Sequence, residues 1–238
     1  ALTSGDGNTV MGYDAATGLT TGADNVLVGR TAGGTGAMTG DYNVFVGTGI
    51  GGNNALTSAY QNVVIGREAA YYGTSFNTSV LVGYSAGKNI TNGAEIVAVG
   101  RNAYNNADTE AHNLAIGSDA MAGAVAGGEY NVAVGNATLD ALTSGDDNVA
   151  VGYNAGNDLT TGSDNTLIGK QAGDGIQSGS NNVCIGSHTT IGSTSVNNAI
   201  TIGVGINAAS NDFSFGKASN VVTNDFDTDA DWSRSSDV

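Results

Sequence analysis

The chain has 238 residues, with 38 Gly and no Pro, and its 22 Asp and Glu against seven Lys and Arg give a net charge of −15. Collagen needs Gly at every third position with abundant Pro, and a nucleic-acid grip needs a basic face, so both are excluded. No run of 18 apolar residues is present to form a membrane-spanning helix, and a single Cys cannot build an internal disulfide framework.

The first predicted strand lies in NTVMG (8–12), and the same phrase then returns along the whole chain. It reads NVLVG at 25–29, NVFVG at 43–47, NVVIG at 62–66, SVLVG at 79–83, IVAVG at 96–100 and NLAIG at 113–117. It continues as NVAVG at 131–135 and again at 148–152, NTLIG at 165–169, NVCIG at 182–186, AITIG at 199–203 and DFSFG at 212–216. Taking the closing Gly as anchor, eight of the twelve intervals are 17 residues, three are 18 or 19 and the last is 13. A fixed short period over this length marks a stacked repeat architecture. Alternation on a period of two makes the repeated element a strand rather than a helix.

Each repeat is expected to be one coil. A second short strand is predicted ten residues before the anchor, at Leu19, Leu56, Ile90, Leu142, Leu159 and Ile176, with Gly-rich turns between the two strands. The residues one and three before the anchor, such as Val149 and Val151 or Phe213 and Phe215, share one side of an extended segment and are assigned to the interior. Asn opens the phrase in nine of thirteen copies, which predicts an internal ladder of Asn side chains from coil to coil. The anchor Gly is expected where a Cβ would clash or φ is positive. The fold class predicted is all-β: a parallel β-roll or β-solenoid of about thirteen coils over residues 1–216. At roughly 4.8 Å per coil this makes a rod on the order of 60 Å long. Residues 217–238 form an aperiodic acidic tail.

The middle residue of each triplet is assigned to the outside. It is apolar at most copies, and the stripe Ala115, Ala133, Ala150, Leu167 and Cys184 is read as the contact surface of a side-by-side homotrimer. Cys184 is a small filler in that reading.

Five of the seven basic residues follow an anchor Gly: Arg30, Arg67, Arg101, Lys170 and Lys217. Tyr13, Tyr84 and Tyr153 occupy the same position. Stacking aligns them into a basic and aromatic column that is a candidate for an anionic or sugar ligand, or for pairing with acidic turns within or between chains. The acidic turns GDGN (5–8), GADN (22–25), GDDN (145–148) and GSDN (162–165) vary too much elsewhere to form a calcium array, so no metal is assigned. His112 and His188 are the only histidines, and no catalytic constellation accompanies them. Neither a catalytic residue nor a cofactor is assigned.

The phrases NVAVG, NLAIG and NVVIG, with Ala69 or Ala120 after the Gly, resemble the head repeats of trimeric autotransporter adhesins. They also resemble bacteriophage tail-fibre repeats that precede an endosialidase-type intramolecular chaperone. The terminal SSDV is similar to the junction at which such a chaperone cuts itself off, which implies a maturation bond at Ser236–Asp237 and a chaperone beyond this chain. The resemblance implies a homotrimer in a virion tail fibre that attaches to a cell-surface glycan or protein, or spaces the tip that does. It also implies other fibre or virion proteins as partners, without catalysis or membrane insertion. The alternative it implies is a bacterial adhesin head on the cell surface.

Overall fold

The computed structural model of the chain describes residues 4–52, 56–225 and 233–234. Two compact units, Ala1–Gly127 and Gly128–Val238, make up the chain. Among its described residues the first contains seven three-residue strands: β1 (Thr9–Met11), β2 (Val26–Val28), β3 (Val44–Val46), β4 (Val63–Ile65), β5 (Val80–Val82), β6 (Val97–Val99) and β7 (Leu114–Ile116). Each pairs in parallel with the next at equivalent triplet positions, Val26 with Val44 and Leu27 with Phe45 for example. Parallel neighbours joined by one repeat of chain are the signature of a β-solenoid.

The second unit repeats the plan. Its strands are β8 (Val132–Val134), β9 (Val149–Val151), β10 (Thr166–Ile168), β11 (Val183–Ile185), the short β12 (Thr190–Ile191), β13 (Ile200–Val204), β14 (Asn207–Ala208), β15 (Asp212–Lys217), β16 (Asn220–Asp225) and β17 (Ser233–Arg234). Strands β8, β9, β10, β11, β13 and β15 stack in parallel, and β12 pairs in parallel with β14. The parallel order ends there, because β16 turns back antiparallel on β15 and β17 on β16. The expected maturation bond, Ser236–Asp237, lies outside the described residues.

The face of the strand is the reverse of the sequence assignment. Leu27, Phe45, Val64, Leu81, Ala98 and Ala115 in the first unit are fully buried, as are Ala133, Ala150, Leu167, Cys184, Thr201 and Ser214 in the second. Their neighbours on either side are only half-buried or exposed: Val149 is intermediate, and Val151, expected inside, is 36% exposed. The proposed contact stripe of Ala115, Ala133, Ala150, Leu167 and Cys184 is therefore core and is not available to another chain. The cause is the Asn four residues before the anchor. It is buried, and a residue two positions further along an extended strand must lie on its side.

The Asn ladder itself is present. In the first unit both the amide and Nδ2 of Asn25 donate to Asn8 Oδ1, at 3.0 and 3.1 Å, and Nδ2 also donates to the Gly40 carbonyl at 2.9 Å. Asn43 and Asn62 repeat the pattern. In the second unit Asn148, Asn165 and Asn182 do the same. Each side chain satisfies polar groups that the narrow interior would otherwise leave unpaired, a penalty of about 1–3 kcal/mol per group.

Opposite the strand, Leu19, Leu56, Ile90, Leu142, Leu159 and Ile176 are buried as expected. The segments carrying them are mostly turns rather than second strands, with only isolated bridges such as Leu19 with Met38. Left-handed residues two and four positions after the anchor, including Asn102 (φ 56°) and Tyr104 (φ 54°), keep this segment from extending. Its backbone still bonds coil to coil, the Tyr104 amide donating to the Ala120 carbonyl at 2.9 Å. The anchors meet both expectations for Gly. At Gly152 φ is 140°, and a Cβ would overlap the Gly169 carbonyl oxygen of the next coil.

At several coils the interior is filled by exchange of volume between two positions six residues apart, whereas Ala150 has Gly156 at the second position and Leu139 and Leu167 fill the space beside that glycine. Leu27, Leu81 and Leu167 face Gly33, Gly87 and Gly173, where a Cβ would come within 3.1, 2.9 and 2.7 Å of a leucine methyl. Where the strand carries Ala98, Ala115 or Ala133, the second position carries Tyr104, Met121 or Leu139, all fully buried. Close packing of this kind leaves little room for either residue to grow or shrink alone.

Candidate functional site

Inverting the strand places two apolar columns on the outer face of each sheet. In the first unit they are formed by Val26, Val44, Val63, Val80, Val97 and Leu114, and by Val28, Val46, Ile65, Val82, Val99 and Ile116. In the second unit Val132 and Val134, Val149 and Val151, Val183 and Ile185, and Ile200 and Ile202 continue the pattern. Single exposed apolar residues are ordinary on a protein surface. A two-residue-wide strip of mostly β-branched side chains, interrupted by the polar Thr166 in the second unit, is of the kind that marks an interaction surface.

The basic and aromatic members of the column after the anchors are exposed. Tyr13, Arg30, Arg67, Tyr84 and Arg101 belong to the first unit, and Tyr153, Lys170 and Lys217 to the second. Three of the first-unit members, Arg67, Tyr84 and Arg101, are linked to one another or to acids. The Arg67 guanidinium lies 5.7 Å from the centre of the Tyr84 ring and 3.0 Å from Glu68 Oε1. Arg101 pairs with Asp119 and donates to Ser118 Oγ at 2.9 Å.

Lys88, which the sequence did not single out, completes this edge. Its Nζ donates to Glu68 Oε2 at 3.1 Å and sits 5.7 Å from the centre of the Tyr71 ring. That hydrogen bond is the main cause holding the Glu68 carboxyl below its ordinary range, and the same bond raises Lys88. At Asp119, burial pushes the carboxyl up. The hydrogen bonds from Asn102 and Ser118 and the Arg101 charge outweigh it, so the net shift is downward. Lys88 was legible only through folding, because it stands five residues after its anchor and falls outside the column.

Between Arg30 and Arg67 the column is interrupted by Thr48, and a cleft of about 230 Å3 opens there. Its lining includes Arg30, Thr48, Gly49, Arg67, Glu68 and Tyr71. Arg67 is engaged by Glu68, whereas Arg30 forms no ion pair among the described residues.

The acidic turns are occupied by backbone. Asp41 Oδ1 accepts the Ala23 amide at 2.7 Å, and Asp146 Oδ1 accepts the Glu129 amide at 2.9 Å. Among the described residues no three His, Cys, Asp or Glu side chains gather as metal ligands. Burial pushes the Cys184 thiol up, away from the thiolate form that a nucleophile needs. His112 Nδ1 lies 3.2 Å from Glu95 Oε2 at the surface.

The arrangement defines a repeat protein of the parallel β-solenoid class. No family model, curated protein or solved structure matches the chain.

Proposed function

We propose that this chain is a segment of a homotrimeric surface fibre that attaches a virion to a cell by binding. The single observation that carries the reading is the outer strip of paired Val and Ile side chains in each unit. It offers β-branched residues in register, and three copies placed side by side would remove that strip from water. Burying apolar surface favours association by roughly 25 cal/mol per Å². The acidic remainder of the surface keeps assembled fibres apart. The resemblance of the repeats and of the terminal SSDV to chaperone-terminated tail fibres supports the virion setting, with other fibre proteins as neighbours.

Binding of the assembled full chain to host cells and to a glycan panel tests the reading. Saturable attachment supports it. A trimer that binds no cell and no glycan would instead be a spacer for a tip elsewhere. A bacterial adhesin head remains the second reading, on the resemblance of NVAVG and NLAIG to adhesin repeats. The downstream coding sequence separates the two, a chaperone favouring the fibre and a coiled coil with a membrane barrel favouring the adhesin.

A further inference from the structure

We infer that the cleft between Arg30 and Arg67 is a binding site for a carboxylate-bearing sugar. The inference rests on the attachment reading and supplies it with a contact point. Where the coils on either side carry Arg30 and Arg67 after the anchor, this coil carries Thr48, and its shorter side chain leaves a space between the two arginines. Strand spacing of roughly 4.8 Å puts the backbones of Arg30 and Arg67 about two coils apart. That separation lets two guanidinium groups reach a group held over Thr48.

Charge favours an anion there. In a chain of net charge −15 with only seven Lys and Arg, Arg30 and Arg67 both line this cleft, and Lys88 joins Arg67 in pairing with Glu68, the one carboxylate in its lining. Glu68 engages Arg67 and Lys88 and leaves Arg30 without an ion pair among the described residues. A planar guanidinium matches a carboxylate through two parallel N–H donors.

The remaining surface favours a polyhydroxylated ligand over an apolar one. Thr48 and Tyr71, both hydroxyl-bearing, are among the lining residues, and the Tyr71 ring lies beside Gly49 and Gly52. A cleft of about 230 Å3 is small beside the roughly 300–1,000 Å3 of ordinary small-molecule pockets, and it suits one sugar unit rather than an extended chain.

Isothermal titration of the full chain with sodium glucuronate, glucose and sodium sulfate tests the site. The expected result is saturable millimolar binding of glucuronate, weakened by salt, with glucose and sulfate each at least tenfold weaker. Arg30→Gln should reduce glucuronate affinity at least tenfold. Thr48→Tyr, which restores the aromatic found at Tyr13 and Tyr84, should abolish binding by filling the cleft. Glu68→Gln should tighten binding several-fold, because it removes the one carboxylate in the lining. Glu95→Gln, outside both the column and the cleft lining, should leave affinity unchanged. Absence of saturation, equal binding of glucose, or equal binding of sulfate would each overturn the proposal. Loss of glucuronate binding in Thr48→Tyr with cell attachment intact would overturn the cleft as the contact point without touching attachment. Glucuronate binding by a chain that attaches to no cell would uphold the cleft and overturn attachment.

Discussion

The Leu167 side chain fills the space that Gly173 leaves vacant: a Cβ on Gly173 would stand 2.7 Å from a leucine methyl. The two positions share one volume, and that gives a direct prediction. Leu167→Ala should cost about 2–5 kcal/mol through the cavity it leaves. Gly173→Leu should cost about 1–3 kcal/mol by overpacking, with a left-handed φ of 73° adding strain. The double variant reproduces the Ala133 and Leu139 arrangement, in which Leu139 already adopts φ 51°. It should be more stable than the sum of the single costs implies by at least about 1 kcal/mol, as measured by urea unfolding. Simple additivity would contradict the shared volume.

Asn148 holds two neighbouring coils at once. It donates to Asn131 Oδ1 at 3.0 Å and to the Gly162 carbonyl at 2.9 Å, and its own Oδ1 accepts from Asn165. Asn148→Ala should therefore destabilise the second unit by several kcal/mol, at about 1–3 kcal/mol for each buried group left unpaired. Asn148→Ser should cost less. At Ser79 a hydroxyl already substitutes for the amide in the ladder, accepting the Ile96 amide at 3.2 Å. Thermal melts of the two variants check the order, and equal losses would contradict the ladder's role.

Glu68 sets an acid response in the first unit. Its folded carboxyl is held below its ordinary value, chiefly by the Lys88 hydrogen bond. A lowered carboxyl contributes stability above its unfolded pKa and loses that contribution as pH falls through the folded value. Lys88→Met should remove most of this dependence, bring the Glu68 titration back toward the ordinary glutamate range and flatten the loss of stability as pH falls below that range. Carbon-detected NMR of the Glu68 carboxyl checks the titration directly. A carboxyl that titrates unchanged in the variant would contradict the pairing.

The period, the strand triplets, the buried Leu19 and Leu159 and the Asn ladder were all legible in the sequence, because each recurs at a fixed phase. Which face turned inward was not. Residues on both faces of the triplet are apolar, so alternation alone cannot choose between Ala150 and Val151. Two signals point the right way. The Asn that builds the ladder lies two residues from the middle position, so both share a side. The middle residue also varies in size from Ala98 to Phe45, and at several coils it does so in step with the residue six later, as Leu81 with Gly87 and Ala98 with Tyr104. Flanking positions are mostly β-branched, with Met11, Leu114, Phe213 and Phe215 as exceptions. The cleft needed a third dimension, since Lys88 and Tyr71 approach the column only through folding.

Sedimentation equilibrium of the full chain, alone and as Val134→Lys with Val151→Lys, tests the central claim most directly. Both residues lie on the outer face of the second unit beside the buried Ala133 and Ala150. The account predicts a native species of three times the 23.5 kDa chain mass and a folded monomer for the double variant, with its β circular dichroism retained. A native chain that sediments as a stable monomer, or a variant that unfolds outright, would contradict it.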